Sequence, residues 1–451
     1  MTNATIIRPF GPDYGPTETR NSILLDSGRS GEPSEVYTVP ALVARAMINR
    51  VAGALPIRTT AALEQMGVAA ELFADSTVDG VDFEGYLGEL EEFCGLSSSV
   101  ARRSAEGIVR ALREAGQVLE AERPRGAELY GATLDAGGGG AVWSRRGRSL
   151  AVIAPGNTPG AHSLWPIALA YGYGVVVRPS VKDPFTPYRL VKCLANAGFD
   201  DQISYIPTSH ETVDSIVECA DFTLLYGGSD VVAKYANSPK VVTQGPGQSK
   251  IVVDCLAQAL EHLDLIVESI TDHNGAACTC ATSVLTLSGD HEEIAKAIAT
   301  RIMETESDRP VIRLPDGRAA ALRAAVLAAA GPSRNYINAE IADADGSGYS
   351  TVRPAVFSVD SDVNTRINSE FGFPCVWVAS VADDELQRAI STSLVLTTMS
   401  TDKRIVDFAS ADPTVRNIYV GRQKTTWMSP VVPHDGYLSE HLMFSKGAIS
   451  C

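Results

Sequence analysis

From Leu150 onward the chain alternates short, continuously apolar runs with amphipathic stretches, linked by only a few residues each time. Leu150-Ala-Val-Ile-Ala154, Val175-Val-Val177, Ile203-Ser-Tyr-Ile206, Phe222-Thr-Leu-Leu-Tyr226, Lys240-Val-Val-Thr243 and Ile251-Val-Val253 read as strands. Pro187 to Ala197, Glu211 to Ala220 and Asp230 to Ala236 read as the helices between them. Apolar runs without polar alternation suit strands covered on both faces, and strand–helix alternation with short links builds a mostly parallel sheet. In such sheets ligands bind at the carboxyl ends of the strands. The pattern resumes beyond Leu256: a helix to about Thr271, a strand at Ser283 to Leu287, helices at Glu292 to Glu304 and Ala319 to Ala330, then strands at Val356 to Val359, Val376 to Ala379 and Leu394 to Thr397.

At 451 residues the chain exceeds one ordinary core, and 45% hydrophobic residues are enough for two or three. Residues 1–35, rich in Gly, Pro, Ser and Asp, read as an irregular arm, followed to about Glu122 by helical periodicity such as Val43, Met47 and Val51. The run Gly137-Gly-Gly-Gly140 marks a loop or boundary. The expected divisions are an arm and helical region at 1–145 packed on the next domain, α/β domains at 146–256 and 257–420, and a tail at 421–451 that serves oligomerisation or returns to the first domain. A net charge of −16 argues against nucleic acid or an anionic membrane as partner. No long apolar run or signal-peptide pattern is present, so a soluble, cytoplasmic protein is expected. The eight cysteines show neither a disulfide framework nor zinc spacing, so free thiols and no metal are expected.

Chemistry-bearing residues gather where strands end. The first strand runs into Pro155-Gly-Asn-Thr-Pro-Gly160, where the Asn157 amide either donates into a cleft or shapes the turn. The second ends at Arg178-Pro-Ser180 with Lys182 close behind, suited to a ribose or its phosphate, or equally a solvated basic loop. Tyr226 leads into Gly227-Gly-Ser-Asp230 at a helix start, which suits a pyrophosphate or is simply turn and cap. Another strand closes on Gly245-Pro-Gly-Gln-Ser249, and no G-x-G-x-x-G follows any of them. Two cysteines lie in Asp272-His-Asn-Gly-Ala-Ala-Cys-Thr-Cys-Ala281, where small neighbours let backbone approach an attacking thiolate's oxyanion, or let both thiols pack as small hydrophobes. His273, His434 and His441 are further acid–base or anchoring candidates.

The order of these motifs resembles that of the aldehyde dehydrogenase superfamily. Pro155-Gly-Asn157, Arg178-Pro-Ser180, Gly228-Ser229, Gly245-Pro-Gly247, Gly275-Ala-Ala-Cys278 and Glu370-Phe-Gly-Phe-Pro374 follow one another over roughly residues 140 to 400. Gly156-Asn-Thr-Pro159, Asp183-Pro-Phe-Thr186, Gly227-Gly-Ser-Asp230 and Ala277-Cys278 look closer still to the bacterial luminescence fatty acyl reductases. The resemblance implies an α/β fold with a Rossmann-type cofactor domain and a catalytic domain. It implies Cys278 as nucleophile, with Cys280 as its competitor, and Asn157 with the Cys278 N–H as oxyanion hole. Arg178, Ser180, Gly228 and Ser229 would hold the adenosine and pyrophosphate of a nicotinamide coenzyme, with Pro155 and Gly245 lining the same site and Glu370 at the nicotinamide ribose.

One departure bears on mechanism. Hydrolytic members carry a Glu at the start of the glycine-rich turn to activate water, whereas Thr243-Gln-Gly-Pro-Gly-Gln-Ser249 has no carboxylate. Release of the acyl group by water is therefore expected to be poor. The leading expectation is NADPH- or NADH-dependent reduction of an acyl-coenzyme A or acyl adenylate to an aldehyde through a Cys278 thioester, with Arg178 and Lys182 favouring NADPH. The alternatives are NAD(P)-dependent oxidation of an aldehyde to an acid or acyl-coenzyme A, and a subunit of a two-chain reductase. The expected associations are an acyl-activating partner protein and a homo-oligomer.

Overall fold

The computed structural model describes residues 5–15, 21–25, 34–128, 139–305, 312–360, 363–429 and 431–449. Two compact units emerge, one of residues 1–94, 101–244 and 429–451, the other of 95–100 and 245–428. The expected boundary after residue 256 thus falls earlier, because Ser249–Val253 pairs with strands of the second unit. The expected tail is divided too, with 421–428 in the second unit and 429–451 in the first.

The first unit is built on a five-stranded parallel sheet of β1 (Ser149–Ile153), β2 (Gly174–Arg178), β3 (Ile203–Tyr205), β4 (Phe222–Tyr226) and β5 (Val241–Gln244). Every residue of β1, β2 and β3 is buried, as continuous apolar runs require when both faces are covered. The spatial order is β5-β4-β1-β2-β3, so the chain leaves β1 toward β2 and β3 and later returns to its other side as β4. The switch point between β1 and β4 is where parallel α/β sheets open a crevice.

Helix α1 (Ala41–Ala52) presents Ala44, Met47, Ile48 and Val51 as one buried stripe, and these join Ala151, Ile153, Val176 and Leu225 in a common core. The expected irregular arm instead contains a small sheet of Ile6–Ile7, Ser22–Leu25 and Ser34–Tyr37. Of the glycine run, 137 and 138 lie outside the described residues, while 139 and 140 open the strand Gly139–Arg145, which pairs with Met443–Ile449.

The second unit holds a six-stranded parallel sheet in the order β8-β9-β7-β6-β10-β11, formed by β6 (Ser249–Val253), β7 (Ala281–Thr286), β8 (Ala355–Val359), β9 (Cys375–Ser380), β10 (Ser393–Thr398) and β11 (Val415–Val420). The single helix expected before the cysteine loop is broken at His262 into Leu256–Glu261 and Leu263–Thr271. Helices α2 (His291–Glu304) and α3 (Asp316–Ala330) follow the expected segments. No helix among the described residues is long and apolar enough to cross a membrane.

Candidate active site

In the first unit the expected residues converge on the switch point. β1 ends into Pro155 and an exposed Asn157, and β2 ends beside it at Arg178, two residues before Ser180. Gly156 packs directly against Ser180 and Lys182, so the two turns touch. On the other side of β1, β4 delivers Gly228 and Ser229, both exposed, at the start of a short helix. Tyr226 donates to the Ala161 carbonyl at 3.1 Å, which ties the β4 end to the segment following Asn157.

Arg178 sits differently from the exposed cation expected. Its side chain is buried, Nη2 donates to the Thr208 carbonyl at 3.1 Å, and burial lowers its pKa. Its Nε has no hydrogen-bond partner within the protein. Lys182 is the exposed cation of this segment.

In the second unit the chemistry lies at the opposite end of the strands from the one anticipated. Cys278 precedes β7, the turn 245–248 precedes β6 and Glu370 precedes β9, and these three strands are parallel neighbours. Their amino ends therefore bring the three segments to one edge. The reason is local: the helix Leu263–Thr271 enters that edge and a left-handed run of His273 (φ 50°), Asn274 (φ 54°) and Gly275 (φ 66°) reverses the chain before Cys278. Glycine is required at 275 because a Cβ there would strike the backbone of Phe373 and Pro374. The loop is anchored through Asp272, whose carboxylate receives Thr426 Oγ1 at 2.8 Å and Lys424 Nζ at 3.1 Å. Burial pushes its pKa up, but these two donors hold it below the usual carboxylate range.

The two thiols are clearly distinguished. Cys280 is buried, its Sγ donates to the Asp272 carbonyl at 3.0 Å, and burial drives its pKa far up, which makes it a poor nucleophile. Cys278 is half-buried and packs against Leu394, Val395 and Tyr419. Its carbonyl accepts from Ser249 Oγ at 3.0 Å. Gly247 lies against the same backbone, and a Cβ on it would sit 2.7 Å from the Cys278 Cα.

Glu370 is exposed and reaches back to the glycine-rich turn, where its carboxylate accepts from Gly247 N–H at 2.9 Å and Gln248 N–H at 3.2 Å. Dense packing around the carboxylate raises its pKa against these two donors. Gly245 opens the turn with a left-handed φ of 100°. The supporting residues Gly247, Gln248, Ser249 and Lys250 were not singled out individually in the sequence, although a lone lysine opening the apolar run Lys250-Ile-Val-Val253 is a visible anomaly.

Among the described residues no group of three or more His, Cys, Asp or Glu is placed to hold a metal, and no disulfide joins the described cysteines. Cys451 lies outside them. His434 is half-buried with its Nδ1 enclosed and unpartnered in the protein, and burial lowers its pKa to about 4.

Residues 106–316 match the model of the aldehyde dehydrogenase family. Malonate-semialdehyde dehydrogenase 1 of Bacillus licheniformis is 28% identical over 189 residues, and the match spans only 38% of that relative and 38% of this chain. Aldehyde dehydrogenase 21 from Physcomitrella patens, solved with its reaction product succinate, superposes with a TM-score of 0.76 at 14% identity over 99% of this chain and 98% of its own. The 1-pyrroline-5-carboxylate dehydrogenase from Thermus with bound NAD gives 0.78 at 16% identity over 99% and 93%. Segment 106–316 is thus similar to the aldehyde dehydrogenase family, and the fold of solved aldehyde dehydrogenases extends over nearly the whole chain.

Proposed function

We propose that this chain oxidises an aldehyde with NAD(P) through Cys278 and passes the resulting acyl group to a thiol such as coenzyme A rather than to water. The family match and the malonate-semialdehyde dehydrogenase relative support oxidation of an aldehyde as the working direction. The observation that carries the finer reading is the turn Thr243 to Ser249, which offers no carboxylate to activate water.

Cys278 as thiolate attacks the aldehyde carbon, and its own N–H stabilises the oxyanion, a role to which the family resemblance would add the Asn157 amide. A nicotinamide coenzyme supplies the hydride acceptor that turns this adduct into a thioester on Cys278. The residues present suit such a group. Pro155, Ser180, Gly228 and Ser229 flank the switch-point crevice, and the buried Arg178 has an Nε without a protein partner. Gly245 belongs to the same proposed cofactor-binding set. For Glu370 to reach a ribose, its carboxylate must share or release the two N–H groups of the turn. An incoming thiolate then attacks the thioester and frees Cys278. The same steps in reverse reduce an acyl thioester to an aldehyde, which the missing carboxylate favours equally because exchange chemistry is reversible.

The test measures coenzyme reduction for a panel of aldehydes with NAD and with NADP, with and without coenzyme A, and identifies the product by mass spectrometry. Acyl-coenzyme A formed only when the thiol is present is the expected result. Free acid produced equally fast without it would overturn the thiol-transfer reading.

A further inference from the structure

Lys250 is the second residue of β6 and is fully buried within the six-stranded sheet. Its Nζ faces four oxygens: the carbonyls of Gln248 at 3.2 Å, Ser391 at 2.9 Å and Thr392 at 3.1 Å, and Ser393 Oγ at 3.0 Å. Burial lowers the pKa of this amine to about 7, with the Asp412 charge opposing the shift, and the four oxygens give its N–H donors partners. Two of the carbonyls belong to residues in the left-handed region, Gln248 (φ 47°) and Thr392 (φ 58°). Neither is glycine, so each position carries a local strain that an oriented partner offsets.

These oxygens come from the two walls that Cys278 touches. Gln248 belongs to the glycine-rich turn, whose Gly247 lies against the Cys278 backbone and whose neighbour Ser249 binds the Cys278 carbonyl. Residues 391–393 lead into Leu394 and Val395, on which Cys278 packs. The walls are joined directly by Leu394 N–H donating to the Gly247 carbonyl at 2.8 Å. On the far side of the same turn, the Glu370 carboxylate takes the Gly247 and Gln248 N–H groups. The Gln248 backbone is therefore held between the Lys250 amine on its carbonyl and the Glu370 carboxyl on its N–H.

We propose that Lys250 is a positioning residue for Cys278, clamping the glycine-rich turn and the start of β10 together so that the thiol is presented in one geometry. This rests on Cys278 being the nucleophile, as in the function proposed above. Lys250→Met keeps the length and removes the amine. Turnover is normalised to the folded fraction of each preparation, read from its urea-unfolding baseline, so that a smaller folded fraction does not count as lost catalysis. Per-site kcat is expected to fall about 100-fold, since displacements of about 1 Å at a reacting centre have effects of that size. Cofactor KM should change less than about threefold, because the interaction is spent on geometry rather than binding. Ser393→Ala, which removes one contact and buries no charge, should lower per-site kcat several-fold and serves if Lys250→Met does not fold. In a double-mutant cycle, Lys250→Met and Glu370→Gln should lose less together than the product of their single losses, because both act on one turn.

Per-site kcat within twofold of wild type in Ser393→Ala, and in Lys250→Met where it folds, overturns the proposal. Cys278→Ala run alongside separates the two failures. If it still turns over, the proposed function falls and this inference with it; if it is inactive beside an unimpaired Lys250→Met, only this inference falls.

Discussion

At Cys280 the thiol hydrogen is committed to the Asp272 carbonyl, and burial keeps the sulfur protonated. Cys280→Ala should therefore cost about 1–3 kcal/mol of stability through the lost contact and the small cavity, while turnover persists. Cys278→Ala should reduce turnover by about 1,000-fold or more with little change in thermal midpoint, since it removes the atom proposed to attack. Coenzyme-dependent rates beside a thermal melt of each variant check both. Gly247 offers a third residue-scale test. A methyl there would collide with the Cys278 carbonyl oxygen, so Gly247→Ala should displace the thiol loop and lower kcat by about 100-fold or more. Gly228→Ala, whose added methyl would meet open space, should leave the thermal midpoint unchanged.

Helix Phe185–Leu194 begins just after Asp183, whose Oδ1 accepts the Thr186 N–H at 2.9 Å while Oδ2 has no partner in the protein. Burial raises the Asp183 pKa to about 6, against its hydrogen bonds to Thr186 and Phe185. The folded state then binds the proton more tightly than the unfolded chain does, so stability declines with rising pH from about 4 to about 6, by up to about 3 kcal/mol. Below that window both states are protonated and the penalty is absent; above it the penalty is full. Asp183→Asn should flatten this part of the profile, read as the difference in urea midpoint between variant and wild type across pH 4 to 8. Most such elements were legible in the sequence because they are continuous apolar runs: Phe222–Tyr226 coincides residue for residue with its expected strand. β11 was not, because Val-Arg-Asn-Ile-Tyr-Val alternates buried with partly or fully exposed positions at a sheet edge and lacks that signal. Cys278 and Glu370 could be picked out by motif spacing, whereas the clamp on Cys278 could not. Lys250 finds its partners more than 140 positions later, at residues 391–393, through a strand pairing that local pattern does not encode.

Cys193, Cys280 and Cys375 are buried in their respective units, Cys193 in the first and the other two in the second. Native protein treated with a neutral thiol reagent should leave these three unmodified and label them only on unfolding. Peptide mapping after a denaturant pulse then reports the opening of each unit by its own cysteine. The edge on which the second unit builds its site also matters during biosynthesis. Cys278 leaves the ribosome well over a hundred residues ahead of Leu394, Val395 and Tyr419, the side chains it packs against, and ahead of Ser391–Ser393, whose oxygens join Gln248's on Lys250. A nascent or truncated chain that ends before these segments carries the thiol and the glycine-rich turn but lacks the opposite wall. The nucleophile proposed at Cys278 is thus enclosed only after residues 391–419 have been made and have docked.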